Sequence, residues 1–221
     1  MSIDTLINDR EVVTLGGLNK DFPTCSVTDI WHIEQSVKYD CLGEEFYIEL
    51  LGDKKDYSKE ANEWDASEKY LEGDVVIYQG VYYIAIASNS ATLPTNTTYW
   101  DLAPKFNNAY YNELWQFLGR YIASKVARMT IQPVVTPITG QGAIKREGET
   151  FSPAGFKDIN SFYAWLDAMA TAALRNMDKY LDSKKDETDA FDLLLDFRGL
   201  SGCNSSSGDC PMGHTTRYNV Y

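Results

Sequence analysis

The feature that most constrains this chain is a change of hydrophobic period, from helical to alternating and back, within 221 residues. Ile30, Ile33 and Val37 recur at helical spacing after Ser26-x-x-Asp29, which resembles a capping box with Asp in place of Glu. Leu42-Gly43-Glu44-Glu45-Phe46-Tyr47-Ile48-Glu49-Leu50-Leu51 then sets Phe46, Leu50 and Leu51 on one face. Its glutamates stand where the helix dipole favours them, which predicts a short helix ending near Gly52. Beyond the charged stretch 53–63 the period shortens. Residues 75–78 and 81–86 are rich in β-branched and aromatic side chains, and Gln79-Gly80 between them predicts a two-residue hairpin turn. Residues 99–102 form a third candidate strand, and Pro104 closes the segment. Helical period then resumes with Tyr111, Leu114, Leu118, Tyr121, Ile122, Val126 and Met129, predicting a long helix that stops before Pro133. It returns with Phe162, Trp165, Leu166, Met169, Ala173, Met177, Tyr180 and Leu181, followed by the solvated run 182–189.

The intervening segments are read from their turn formers. The opening residues carry no long periodic pattern, and Gly16-Gly17 with Pro23 predicts an irregular arm. Residues 131–153 mix β-branched residues with Pro133, Pro137, Gly140, Gly142 and Gly148, the composition of a loop or an extended hairpin. Residues 191–197 are short and apolar, a strand or a final helical turn. Residues 201–221, rich in Ser, Gly and Asn, predict a flexible tail in which Tyr218, Val220 and Tyr221 are able to add as a strand to a neighbour. Neither helical part alone carries enough apolar stripe for a bundle. The expected fold is therefore mainly α, a helical bundle with an extended hairpin or loop, plus a small all-β inserted domain. Residues 1–59 and 105–200 form the discontinuous helical domain, 60–104 the insertion and 201–221 the tail.

Charge and composition narrow the function classes. A formal net charge of −12 argues against a surface built to grip nucleic acid. The charge is uneven: residues 40–74 hold twelve acidic and four basic side chains, whereas 105–150 hold six basic and three acidic. The two stretches either meet between subunits or form solvated faces. No apolar run approaches the ~20 residues that cross a bilayer, and no basic-then-apolar leader opens the chain, so a soluble protein folded in a cytoplasm is expected. Cys25, Cys41, Cys203 and Cys210 are too few and scattered for a disulfide scaffold, and Cys203, Cys210 and His214 match no standard zinc spacing. The histidines, His32 and His214, lie near no nucleophile motif, and no G-x-S-x-G, H-E-x-x-H or phosphate-cradling glycine loop exists. No catalytic residue, metal or cofactor is expected, and the chain is not expected to be an enzyme.

The helical portion resembles the head–tail connector, or adaptor, proteins of tailed bacteriophages. The resemblance lies in LGEEFYIELL (42–51) after an amphipathic helix, the long helix 110–129, the Gly-rich TPITGQGAIKREG (136–148) and the final long helix. It is also similar to ring proteins of crAss-like phages. The resemblance implies a cyclic homo-oligomer, a dodecamer in the family, between portal protein and tail in the virion after synthesis in the host cytoplasm. Its implied partners are other copies of the chain, the portal protein and other tail or ring proteins, with DNA passing through without specific binding. The segment 131–150 is then the hairpin that contacts adjacent subunits. Lys125 and Arg128 on the long helix, Lys145 and Arg146 in the Gly-rich loop, and Tyr218 and Tyr221 in the tail are candidates for the ring or portal interface.

The insertion looks like a small chitin-binding type of carbohydrate-binding module, on Trp64, Tyr70, Gly73-Asp74-Val75-Val76, Tyr78, Gly80, Tyr82-Tyr83, Ala85, Pro94 and Trp100. Trp64, Tyr83 and Trp100 supply most of a core for so small a unit. Tyr78 and Tyr82 are the candidate docking residues for a sugar or a protein, against the weightier reading that they pack the hairpin. Where sugar-stacking members place exposed aromatic residues, after the second strand, this chain has Ile86-Ala87-Ser88. A connector subunit whose β-module projects outward is the expected function. The alternative is a carbohydrate-binding protein whose inserted module binds polysaccharide.

Overall fold

Chain order separates the two kinds of structure that the hydrophobic periods predict. The computed structural model describes residues 4–19, 21–57, 59–135, 138–139, 142–143 and 156–199. Three helices come first: α1 (Asp9–Leu15), α2 (Val27–Val37), which runs into a π-helical turn at Lys38–Leu42, and α3 (Glu44–Asp53). Six short strands follow: β1 (Asn62–Glu63), β2 (Lys69–Tyr70), β3 (Val75–Tyr78), β4 (Val81–Ala85), β5 (Asn89–Ser90) and β6 (Trp100–Leu102). The long α4 (Ala109–Val135) leads to the paired strands β7 (Ile138–Thr139) and β8 (Gly142–Ala143), then to α5 (Phe156–Lys184), a 3-10 turn at Asp189–Phe191 and α6 (Asp192–Phe197). The fold is thus a helical part with a small β-unit between α3 and α4.

Helix α4 is the centre of the helical part. Tyr121, Ile122, Ala123 and Ser124 are four consecutive buried residues, a pattern open only to a helix covered on several sides. Helices α1, α2 and α5 supply the cover. Helix α5 lies antiparallel to α4: Arg128 pairs with Asp167 toward one end, and toward the other the Tyr180 hydroxyl donates to Glu113 at 2.8 Å. Leu166, Ala170, Ala173, Met177 and Leu181 form the buried stripe of α5. Gly119 lets α1 come close, since a Cβ there would lie 2.9 Å from Leu15 Cδ1. Phe191 closes the base of the bundle, edge-on to Phe46, Tyr110 and Tyr180 with ring centroids 5.8–6.5 Å apart.

Three segments depart from the sequence expectations or resolve them. The predicted irregular arm holds α1, capped by a reciprocal box in which Glu11 N–H donates to Asn8 and Asn8 N–H donates to Glu11. Leu6, Ile7 and Val12 bury into the core from this segment. Helix α4 runs past Pro133 to Val135, because a proline two residues from a helix end removes one hydrogen bond without interrupting several turns. Residues 191–197 are helical: Phe191, Leu194 and Leu195 are buried at i, i+3 and i+4, a spacing that a strand would split between two faces. The Ser26 cap of α2 is as predicted, with the Asp29 N–H donating to the Ser26 hydroxyl at 3.0 Å.

One buried carboxylate ties the first segment down. Glu34, fully buried on α2, accepts from the backbone N–H groups of Leu6 at 2.8 Å and Ile7 at 2.9 Å, and from the Tyr47 hydroxyl at 2.7 Å. Burial pushes its pKa above the ordinary glutamate value, and these three donors only partly oppose the shift.

In the β-unit, strands run in the order β1-β3-β4-β6, with β1 parallel to β3 and the other pairs antiparallel, so the sheet is mixed. The predicted hairpin is present in the predicted register, Tyr78 opposite Val81, and Gln79 and Gly80 both take positive φ, 53° and 78°. Val76, Ala85 and Trp100 point to one face, where they pack with Tyr70 and are flanked by Trp64, Tyr83 and Tyr99. The Trp100 indole N–H donates to the Thr92 carbonyl at 3.0 Å. The hairpin tip does not stand clear of the helices: a Cβ on Gly80 would lie 2.8 Å from Arg10 Cγ on α1.

Replacing Glu34 with Ala leaves two backbone donors and a phenol without their acceptor, and should cost about 2–4 kcal/mol in urea unfolding, with faster amide exchange at Leu6 and Ile7. The sign of the pH dependence follows from the raised pKa. Folded protein holds the Glu34 proton where unfolded chain has released it, so this contribution is full below the ordinary glutamate range and is lost as pH rises through the raised value. Measured against Glu34→Gln, the wild-type chain should therefore lose stability as pH rises from the ordinary glutamate range toward neutrality; a constant difference would refute the assignment.

Candidate functional site

The chain leaves the helical part and returns to it at one place. Lys54 pairs as an isolated antiparallel bridge with Phe106, the Lys55 N–H donates to the Lys105 carbonyl at 2.9 Å, and the Asn107 N–H donates to the Asp53 carbonyl at 3.1 Å. These two stems hold the β-unit beside α1 and the start of α4.

At that junction the Lys105 side chain turns inward. Its ammonium lies 2.5 Å and 2.6 Å from the two carboxylate oxygens of Glu11 and 4.8 Å from the centroid of the Trp115 ring. Both side chains are largely withdrawn from water, 12% exposed for Lys105 and 19% for Glu11. Desolvation pulls the Lys105 pKa below its usual value, and the Glu11 carboxylate opposes that shift. Glu11 stands here because it is the third residue of α1, where its carboxylate also caps the helix. Beside it the Lys54 ammonium donates to the Thr5 carbonyl at 2.7 Å.

Between the stems, α1, α4 and the sheet lies a cleft of about 730 Å³. Its walls include Glu11, Tyr57, Tyr82, Leu102, Lys105 and Arg120. Tyr57 and Tyr82 face each other at 5.4 Å, and the Tyr57 hydroxyl donates to the Pro104 carbonyl at 2.8 Å. Glu11 and Lys105, the two charged groups withdrawn into this cleft, are already committed to each other. That arrangement fastens the β-unit to the helices and leaves the aromatic and polar walls as a surface for contact.

The predicted docking residues do not form one platform. Tyr82 is opposite Ile77, whereas Tyr78 is opposite Val81, so the two tyrosines lie on opposite faces of the sheet. Tyr82 faces the cleft, and Tyr78 is edge-on to Trp64 at 5.6 Å and to Tyr83 at 6.5 Å. Of the predicted interface residues, Lys125 lies 5.7 Å from the Tyr121 ring, and Arg128 pairs with Asp167 and lies 5.8 Å from the Tyr163 ring. Arg128 thus joins α4 to α5 within the chain. Lys145, Arg146, Tyr218 and Tyr221 lie outside the described residues, as do His214, Cys203 and Cys210. His32 is exposed, edge-on to Trp31 at 5.0 Å, and Cys25 and Cys41 are buried thiols. Among the described residues, no group of three His, Cys, Asp or Glu side chains is placed to hold a metal, and no helix is long and apolar enough to cross a membrane.

Sequence reasoning missed the Glu11–Lys105 pair. The Asn8-x-x-Glu11 spacing was available as a helix signal, but nothing local links it to a lysine ninety-four residues away. Comparison with protein-family models, with curated proteins and with solved structures gives no match.

Lys105→Met should cost about 3–5 kcal/mol, because it strands a withdrawn carboxylate. The double variant Glu11→Gln/Lys105→Met should cost distinctly less than the sum of the two single changes. Additive losses in a double-mutant cycle of urea unfolding would show that the two groups do not act as a pair.

Proposed function

We propose that the chain is a non-enzymatic structural subunit of a tailed-phage virion, assembling as a homo-oligomeric ring at the head–tail junction between portal and tail. The observation that carries this reading is the antiparallel α4–α5 pair with the strand pair β7–β8 in the chain that joins them. The resemblance to connector proteins implies a helical body, discontinuous in sequence, with an extended hairpin that contacts a neighbour, and the two-residue strands β7 and β8 lie where that hairpin is expected. A ring distributes one heterologous contact around a closed circle, so modest interfaces add up to a stable assembly. The strongly acidic chain suits a ring through which DNA passes without being gripped. The mutual commitment of Glu11 and Lys105 supports a mechanical rather than a catalytic role for the cleft. The β-unit rides on the ring as a fixed part, tied at its base, and offers a surface to other virion proteins.

Light scattering on the purified chain, alone and mixed with portal protein, tests the proposal, alongside a chain in which residues 60–104 are replaced by a short Gly-Ser linker. The expected result is a ring, or portal-dependent assembly, that survives the replacement. A monomer indifferent to portal but retained by polysaccharide would sink the connector reading in favour of carbohydrate binding.

A further inference from the structure

The helical part carries two exposed faces of opposite character. One is built where the π-helical turn, α3 and α6 meet. Tyr39, Ile48 and Phe197 are 60%, 57% and 47% exposed there. Phe197 joins the start of α3, its ring 3.1 Å from where a Cβ on Gly43 would stand. Tyr39 joins the same place through Lys38, whose ammonium lies 5.0 Å from the Tyr39 ring and 2.6 Å from Glu44. The surrounding charge is acidic: Glu44, Glu45 and Asp196 are exposed, while the nearby cations are engaged, Lys38 with Glu44 and Arg198 with Asp178.

The other face is the outer side of α5. Trp165, Ala168, Ala172, Arg175 and Lys179 are all exposed, and their spacing of three and four residues aligns them in one stripe. Phe162 supports Trp165 at 5.3 Å between ring centroids. Two carboxylates beside this stretch are occupied, Asp167 with Arg128 and Asp178 with Arg198, and the exposed Asp182 follows one step beyond Lys179. Arg175 and Lys179 have no carboxylate partner among the described residues, so the stripe presents an indole followed by two cations.

We propose that the acidic Tyr39–Ile48–Phe197 face of one copy receives the Trp165–Arg175–Lys179 stripe of the next copy. The inference rests on the ring reading above and names the two faces that close it. The occupant is a second copy because the complement of each face, apolar anchor and opposite charge alike, is carried by the same chain. The aromatic residues supply the apolar area from which interface anchors are drawn, and the charges set register and direction. Because the two faces differ, the contact is head-to-tail. A twofold contact of either face with itself would set like charges together, so the charge pattern selects head-to-tail association over a twofold dimer, and the rotation between copies sets whether it closes as a ring.

Charge reversal tests the pairing in the full chain, by sedimentation velocity over a range of concentrations, with circular dichroism and thermal melts as the check on folding. Glu45→Lys, and separately Arg175→Glu/Lys179→Glu, should each weaken assembly by about tenfold or more. The chain carrying all three changes should recover it, and Trp165→Ala should lose it without any change of charge. Recovery by the combined chain supports the proposal. If the reversed chains assemble as the wild type does, or if the combined chain fails to recover, these faces do not meet and the ring closes elsewhere. A wild-type chain that stays monomeric with and without portal overturns the ring reading itself, and this pairing with it.

Discussion

A helix that is apolar on several sides must be covered on several sides, and α4 imposes that requirement on the whole helical part. Its run of four consecutive buried residues leaves no solvent face in the turn they form, and α1, α2 and α5 are each drawn against it. The cost of ordering these elements is met by one shared burial rather than by separate bundles before and after the β-unit. It also explains why α5 is one-sided. With its apolar stripe spent on α4, its other side remains for contacts outside the chain.

Among the described residues the polar groups inside the molecule are few, and the positions of the two main clusters are informative. Glu34 pins the backbone of the first segment, and Glu11 with Lys105 pins the base of the β-unit. Withdrawing such charges from water costs free energy that the ion pair or hydrogen bonds only roughly repay. Their contribution is therefore to geometry. Each fixes where one piece of chain lies against another, at a point where apolar contact alone would permit sliding. Lys105 illustrates the balance: desolvation disfavours its charge while Glu11 holds the charge in place.

What could be read from the sequence follows the same physics. Elements with a long stripe of one period, α4, α5 and the β3–β4 hairpin, were legible because their periodicity repeats over many residues. The Ser26 cap was legible because it is local. Helix α1 was not, since seven residues with Val12 as their buried member carry no stripe, and the cap at Asn8-x-x-Glu11 was the available sign. Residues 191–197 were too short for periodicity to decide, and only their burial against the bundle makes them helical. Tyr78 and Tyr82 were legible as hairpin aromatics, but their assignment to opposite faces needed the strand register. The Glu11–Lys105 pair and the Tyr39–Ile48–Phe197 face come from packing between distant segments, which no local pattern encodes.

The side-by-side stems at Lys54 and Phe106 carry a consequence for descent. To the helical core, the chain between them is a single surface loop that departs and returns at one spot, so changing its length alters loop closure only slowly. A unit hung from such a base is open to loss, enlargement or exchange for another small domain while the stems keep their bridge. A helical body built this way is free to differ in what it displays from these stems, and the approach of Arg10 to the hairpin tip and of Tyr57 to Tyr82 shows how closely this unit and the helices fit.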